Sequence, residues 1–163
     1  MKTRKQSTKE AKTRPVSVNR KAYHDYTILD TVEAGLALTG TEIKSIREGK
    51  VNIRDAFARA ENGEMWLMGA HIAPYASGSR YNHDPMRSRK LLLHRMQIFE
   101  LTRKLREKGL TLVPLSLYFK RGLAKIELGI AKGKKLYDKR DAIAKRDADR
   151  EMERSRGVTS GKR

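Results

Sequence analysis

Thr111-Leu-Val-Pro-Leu-Ser-Leu-Tyr-Phe-Lys120, then Arg121-Gly122, then Leu123-Ala-Lys-Ile-Glu-Leu-Gly-Ile-Ala131 is the stretch on which the fold turns. Val113, Leu115, Leu117 and Phe119 recur at every second position. Beyond the Arg-Gly pair, Ile126, Leu128 and Ile130 do the same around Lys125 and Glu127. Residues two apart line one face of a strand, so the stretch predicts an antiparallel hairpin with one buried face. A second hairpin is predicted upstream, where Ile53–Ala60 and Met65–Ala70 flank Glu61-Asn-Gly-Glu64. Asn-Gly is the strongest short hairpin signal because both residues tolerate positive φ.

Further out, Tyr26-Thr-Ile-Leu-Asp-Thr-Val32 is rich in β-branched and aromatic residues; Glu33-Ala-Gly35 reads as a tight turn, and Leu36-Ala-Leu38 as a second strand. Thr39-Gly-Thr-Glu42 has capping-box spacing and predicts a helix to about Arg47, with Ile43 and Ile46 on one face and Gly49 as its stop. Leu91–Leu93 reads as a short strand, and Ile98, Leu101 and Leu105 as a helix stopped by Gly109. Residues 71–90 contain Pro74, Gly78 and Pro85 without periodicity and read as a long loop, a feature that is usually functional or disordered. About six strands and two helices, paired as hairpins without helical crossovers, predict a mainly β protein built as a small antiparallel barrel.

The 163 residues carry 37 Lys and Arg against 19 Asp and Glu, a net charge of +18. Residues 1–21 hold eight basic and one acidic side chain, residues 22–131 seventeen and twelve, and residues 132–163 twelve and six. The excess sits in two tails around a near-balanced middle, which predicts a basic flexible arm over 1–17, a folded domain over 18–131 and a basic tail over 132–163. Such charge calls for a polyanionic partner. The absence of cysteine excludes disulfides and thiolate chemistry. No apolar run approaches the ~20 residues of a membrane span, and no signal-peptide pattern is present, so a cytoplasmic protein is expected. From Ala142 through Arg154 the tail has only Ile143 and Met152 as sizeable apolar residues, too few for membrane insertion or for packing on the barrel. It is expected to be disordered when free and helical on a polyanionic surface.

No catalytic constellation, metal site or cofactor motif is legible. Gly129 and Gly133 before Lys134-Lys135 have three intervening residues and a second lysine, where a phosphate-binding loop needs four and a hydroxyl. The four histidines are never spaced to share a helix face. His24 reads equally as an ordinary imidazole or, between Tyr23 and Tyr26, as part of a surface that stacks on unpaired bases. Asn82-His83-Asp84-Pro85-Met86-Arg87-Ser88-Arg89-Lys90 is either a solvated loop or, the favoured reading, a strip in which Arg87, Arg89 and Lys90 neutralise phosphate while Asn82 and His83 reach bases or riboses.

Four strings taken together carry more. Asn19-Arg-Lys-Ala-Tyr-His-Asp-Tyr26, Glu33-Ala-Gly-Leu-Ala-Leu-Thr-Gly-Thr-Glu-Ile-Lys-Ser-Ile-Arg47, Arg87-Ser-Arg-Lys-Leu-Leu-Leu-His94 and Gly133-Lys-Lys-Leu-Tyr-Asp-Lys-Arg140 resemble the SsrA-binding protein (SmpB) family, in order from about Val18 to Arg150. The resemblance implies an oligonucleotide-binding-like (OB-like) barrel with two or three flanking helices. It implies a non-enzymatic, monomeric protein that binds the tRNA-like domain of transfer-messenger RNA and acts with it on stalled ribosomes in trans-translation. RNA-facing positions implied by the resemblance are Asn19, His24, Glu33, Leu92 and His94, with Arg20 and Tyr23 beside them; His94 departs from members that carry asparagine. Gly133, Lys134, Lys135, Asp138, Lys139 and Arg140 match the family's tail segment, which implies entry into the empty mRNA channel near the small-subunit decoding centre. A general ribosome-associated RNA-binding protein or RNA chaperone is the alternative.

Overall fold

The structure, a computed structural model, describes residues 14–107 and 109–158. In chain order the elements are β1 (Pro15–Val18), α1 (Arg20–Asp25), β2 (Tyr26–Leu36), α2 (Gly40–Arg47), β3 (Val51–Asn52), β4 (Phe57–Glu61), β5 (Glu64–Met68), β6 (His71–Ile72), a 3-10 turn at Ser79–Tyr81, β7 (Arg89–Leu92), α3 (Arg95–Leu105), β8 (Leu110–Lys120), β9 (Leu123–Gly133) and α4 (Leu136–Val158). Both predicted hairpins form. Asn62 and Gly63 take φ of 51° and 74°, and Arg121 and Gly122 take 52° and 76°, the left-handed pair that a two-residue hairpin needs.

The strand order β1-β8-β4-β5-β7-β2-β9, with β9 also paired to β8, closes six antiparallel strands on themselves and leaves β1 outside the ring. Closure removes most sheet edges and gives one interior. Ile46 from α2 and Leu101 from α3 join Met65, Leu67, Leu91, Leu112, Ile126 and Leu128 in that core. The capping box of α2 is present: Glu42 N–H donates to Thr39 Oγ1 at 3.4 Å, and Thr39 N–H to Glu42 Oε2 at 2.9 Å.

Several expectations are corrected. Tyr26–Leu36 is one strand, with no turn at residues 33–35. Gly35 serves close packing instead, since a Cβ there would stand 3.1 Å from Leu92 Cβ. Val113 and Leu115 do not share a face with Leu117, because the β8–β9 register shifts between Pro114 and Ser116. An extra residue in a strand reverses the faces on its two sides. Val113 and Leu115 therefore join Ala22 and Ala131 in a second cluster beneath α1, against Tyr26 and Ile28. Gly129 lies under this cluster, where a Cβ would meet Leu115 Cδ1 at 3.0 Å and Ile28 Cγ2 at 3.2 Å.

Strand pairing runs past both expected boundaries. β1 already pairs with β8 from Pro15, inside the expected arm, and β9 pairs with β2 to Gly133, beyond the expected end of the barrel at 131. Residues 1–13 of the arm lie outside the described residues. Over the tail, α4 runs for 23 residues from Leu136, and Ile143 and Met152 on it are exposed.

Candidate nucleic-acid interface

Where β2, β7, the Asn62-Gly63 tip and the start of α3 meet, they enclose an open groove of about 1200 Å³. Glu33, Lys90, Leu92 and His94 all line it, although 61 positions separate the first from the last. The register explains the meeting: Gly35 pairs with Leu92 and Leu36 with Leu91, and the missing side chain at Gly35 lets Leu92 lie close to β2. Leu92 is 53% exposed, and Phe99, one turn into α3, is 64% exposed. A protein surface that leaves large apolar groups open between charged ones suits bases whose faces are unstacked.

The charges here are held rather than loose. Glu33 accepts a short hydrogen bond from the Tyr118 hydroxyl and stands 3.6 Å from Lys120 Nζ. Lys90 pairs with Glu64. His94 occupies the N-cap of α3, where its N–H donates to Gln97 Oε1 at 3.0 Å, and its side chain is exposed.

At the other end of β2, α1 and the root of α4 form a second cluster. Tyr23 is partly exposed, and its carbonyl accepts from Lys134 Nζ at 3.1 Å. His24 Nδ1 lies 2.8 Å from Asp25 Oδ1, and Lys139 Nζ lies 3.3 Å from the same oxygen. The His24 bond is the main influence that holds the Asp25 carboxyl below its usual range; partial burial opposes it and Lys139 reinforces it. Arg20, Lys135, Asp138 and Arg140 are exposed around this root.

A model of the SmpB family, described as "SmpB protein", matches residues 16–157. The chain belongs to the SmpB family. It is 65% identical over 140 residues to the SsrA-binding protein of Carboxydothermus hydrogenoformans, covering 86% of this chain and 94% of that one. It is 59% identical over 140 residues to the SsrA-binding protein of Geobacillus kaustophilus, covering 86% and 90%. A solved chain from "tmRNA-SmpB: a journey to the center of the bacterial ribosome" is 56% identical and superposes with a TM-score of 0.64 over 76% of this chain and 87% of its own.

Not every position expected to face RNA is exposed. Asn19 is 1% exposed. Its side chain caps α1 by accepting from Ala22 N–H and donates to the carbonyls of Ile53, Arg54 and Pro114, so it locks α1 onto the barrel. Arg89 is fully buried and donates to Glu42 at 2.8 Å and to the carbonyls of Ala70, Pro85 and Arg87. Burial is what lowers its pKa, and Glu42 counters it.

Arg87, Asn82 and His83 of the predicted strip also turn to protein partners, whereas Lys90 lines the groove. Arg87 grips both carboxylate oxygens of Glu42, at 2.8 and 2.6 Å. Asn82 exchanges bonds with the backbone of Tyr75 at 2.8 and 2.7 Å, and His83 bridges Thr41 and the Ile72 carbonyl at 2.9 Å each. The segment read as a structureless loop is thus ordered by side-chain bonds instead of by periodicity. Among the described residues no group of three or more His, Asp or Glu is placed to hold a metal ion.

Phe99, Gln97 and Lys125 line the groove but were not singled out in the sequence. The signal for Phe99 was available, since it falls off the Ile98–Leu101–Leu105 face of α3 and so had to point away from the core.

Proposed function

We propose that this chain binds the tRNA-like domain of transfer-messenger RNA through the groove, brings it to stalled ribosomes, and enables trans-translation by placing its tail in the empty mRNA channel. The observation that carries this reading is the convergence of Glu33, Leu92 and His94 on one open groove in a member of the SmpB family. Its relatives are named for binding SsrA, and a solved relative is described with tmRNA at the ribosome. Leu92 and Phe99 offer apolar faces to unpaired bases, Lys90 and Lys125 supply positive charge for phosphate, and Glu33 accepts from a base amine or ribose hydroxyl. An acid would repel phosphate, so its use here is to select rather than to attract.

The tail acts by competing for space. Intact mRNA fills the channel, whereas a truncated message leaves a phosphate-lined groove open to Lys134, Lys135, Lys139 and Arg140. The far turns of α4 are completed on that surface, because its exposed Ile143 and Met152 give the helix no apolar stripe and isolated helices are marginal. The protein works in the cytoplasm as a monomeric binding partner, without catalytic residues or cofactor.

Competition at physiological salt between transfer-messenger RNA, ordinary tRNA and bulk RNA tests the reading. Transfer-messenger RNA is expected to win by at least tenfold, and equal affinity for all three would instead favour a general RNA chaperone.

A further inference from the structure

We infer that Asp25 is a positioning residue that aims the tail, by tying the first turn of α4 to the helix that carries Tyr23 and His24. The inference rests on the function proposed above. Its basis is one carboxylate oxygen with two partners: Asp25 Oδ1 lies 2.8 Å from His24 Nδ1 and 3.3 Å from Lys139 Nζ. His24 belongs to the RNA-facing set and Lys139 to the tail. This oxygen joins the two sets side chain to side chain, and Lys134 Nζ joins them side chain to backbone at Tyr23.

The backbone around it makes the contact directional. The β2–β9 ladder ends at Tyr26 opposite Gly133, and Lys134 N–H continues it by donating to the Asp25 carbonyl at 2.9 Å. Lys134 Nζ reaches the Tyr23 carbonyl at 3.1 Å. Only Lys135 then separates this anchored residue from the start of α4 at Leu136, and Lys139 N–H closes the first turn on the Lys135 carbonyl. The chain is therefore fixed at residue 134 and fixed again at residue 139. Two fixed points set the direction of a helix, whereas one leaves a pivot.

Leverage makes the second point matter. A helix rises about 1.5 Å per residue, so residues about 15–19 positions beyond the pin lie roughly 22–28 Å away. A swing of about 10° would displace them by about 4–5 Å, close to one helical turn. The Lys139 and Asp25 side chains are 28% and 25% exposed, so the tie is strong enough to bias direction and open enough to be exchanged when phosphate competes for Lys139 or His24. RNA bound at α1 and the heading of the tail are thus coupled through the Asp25 carboxylate, working beside the backbone anchor at Lys134.

Spin-label distances on the full chain test this directly, and its lack of native cysteine makes the labelling simple. Labels go on Leu123→Cys at the exposed β8–β9 tip and Ala144→Cys on α4, measured without RNA. The parent is expected to give one narrow distance distribution, Asp25→Asn to widen it at least twofold, and Asp25→Glu to restore it. Lys139→Gln, which breaks the tie from the helix side without touching the barrel, is expected to widen it equally. On stalled ribosomes Asp25→Asn should lower peptide tagging at least fivefold while transfer-messenger RNA affinity stays within threefold. Unchanged widths in both Asp25→Asn and Lys139→Gln would overturn the inference. So would a loss of RNA affinity above tenfold with the widths unchanged, which would make Asp25 a support for His24 alone. Failure of the parent protein to prefer transfer-messenger RNA would refute the proposed function instead, and the distances, taken without RNA, would still report on Asp25.

Discussion

Glu42 and Asp25 each grip a basic stretch of chain, the first through Arg87 and Arg89 of the segment before and into β7, the second through Lys139 of the tail. Glu42 is fully buried, takes two bonds from Arg87 and one from Arg89, and also accepts the Thr39 cap N–H. Asp25 is partly open to water and holds Lys139 by a single contact. The same chemistry in two environments gives two devices. A buried, fully satisfied carboxylate builds permanent structure; a half-open one makes a tie that a competing anion can break.

The largest expected effect breaks the first device. Glu42→Gln leaves the Arg89 guanidinium buried without its counter-charge and is expected to cost about 3–5 kcal/mol in denaturant unfolding. A loss under about 1 kcal/mol would mean that the network is loose. Burial alone would raise the Glu42 carboxyl, but the bonds from Arg87, the Thr39 N–H and Arg89 outweigh it and hold the group below its usual range. A carboxyl lowered on folding stabilises fully above its unfolded pKa of about 4.3 and loses that contribution as pH falls through the folded value. Stability measured from about pH 6 down to pH 2 should therefore fall in the parent, and fall less steeply in Glu42→Gln.

A smaller effect addresses the proposed binding groove. Phe99→Ala, at an exposed position, is expected to weaken transfer-messenger RNA binding by about 1–3 kcal/mol with little change in stability. Loss of stability without loss of affinity would remove Phe99 from the interface. Smaller still, Asp25→Asn should change unfolding free energy by less than about 1 kcal/mol, against the several expected for Glu42. Equal costs at the two acids would erase the distinction between them.

How much of this was readable beforehand depends on the range over which each feature is determined. The Asn62-Gly63 and Arg121-Gly122 turns and the Thr39–Glu42 capping box are local chemistry, and all three formed where the residues placed them. The register shift in β8 reflects packing beneath α1, so the alternation of Val113, Leu115 and Leu117 could not disclose it. Gly35 was ambiguous because a glycine in a strand serves equally for a turn or for close approach, and only the β2–β7 pairing decides.

Arg89 was misread despite a usable signal. It lies two residues before Leu91, and strand alternation puts both on the same inward face. Composition argued the other way, since a run of three cations within four residues reads as surface. Within the site, Glu33, Leu92 and His94 came from the family resemblance and not from pattern, because residues on β2, on β7 and at the start of α3 meet only after the barrel closes.

The central claim is that barrel and tail perform separable tasks, and the measurement that addresses it most directly is paired binding and tagging by a chain cut after Gly133. The cut falls there because Ala131 is buried, and Lys132 and Gly133 still pair with Thr27 and Tyr26. Transfer-messenger RNA affinity is predicted to remain within about threefold, or about 0.7 kcal/mol, of the full chain while peptide tagging on stalled ribosomes falls to background. Tagging that survives the cut, or affinity that falls by more than tenfold with it, would contradict the account.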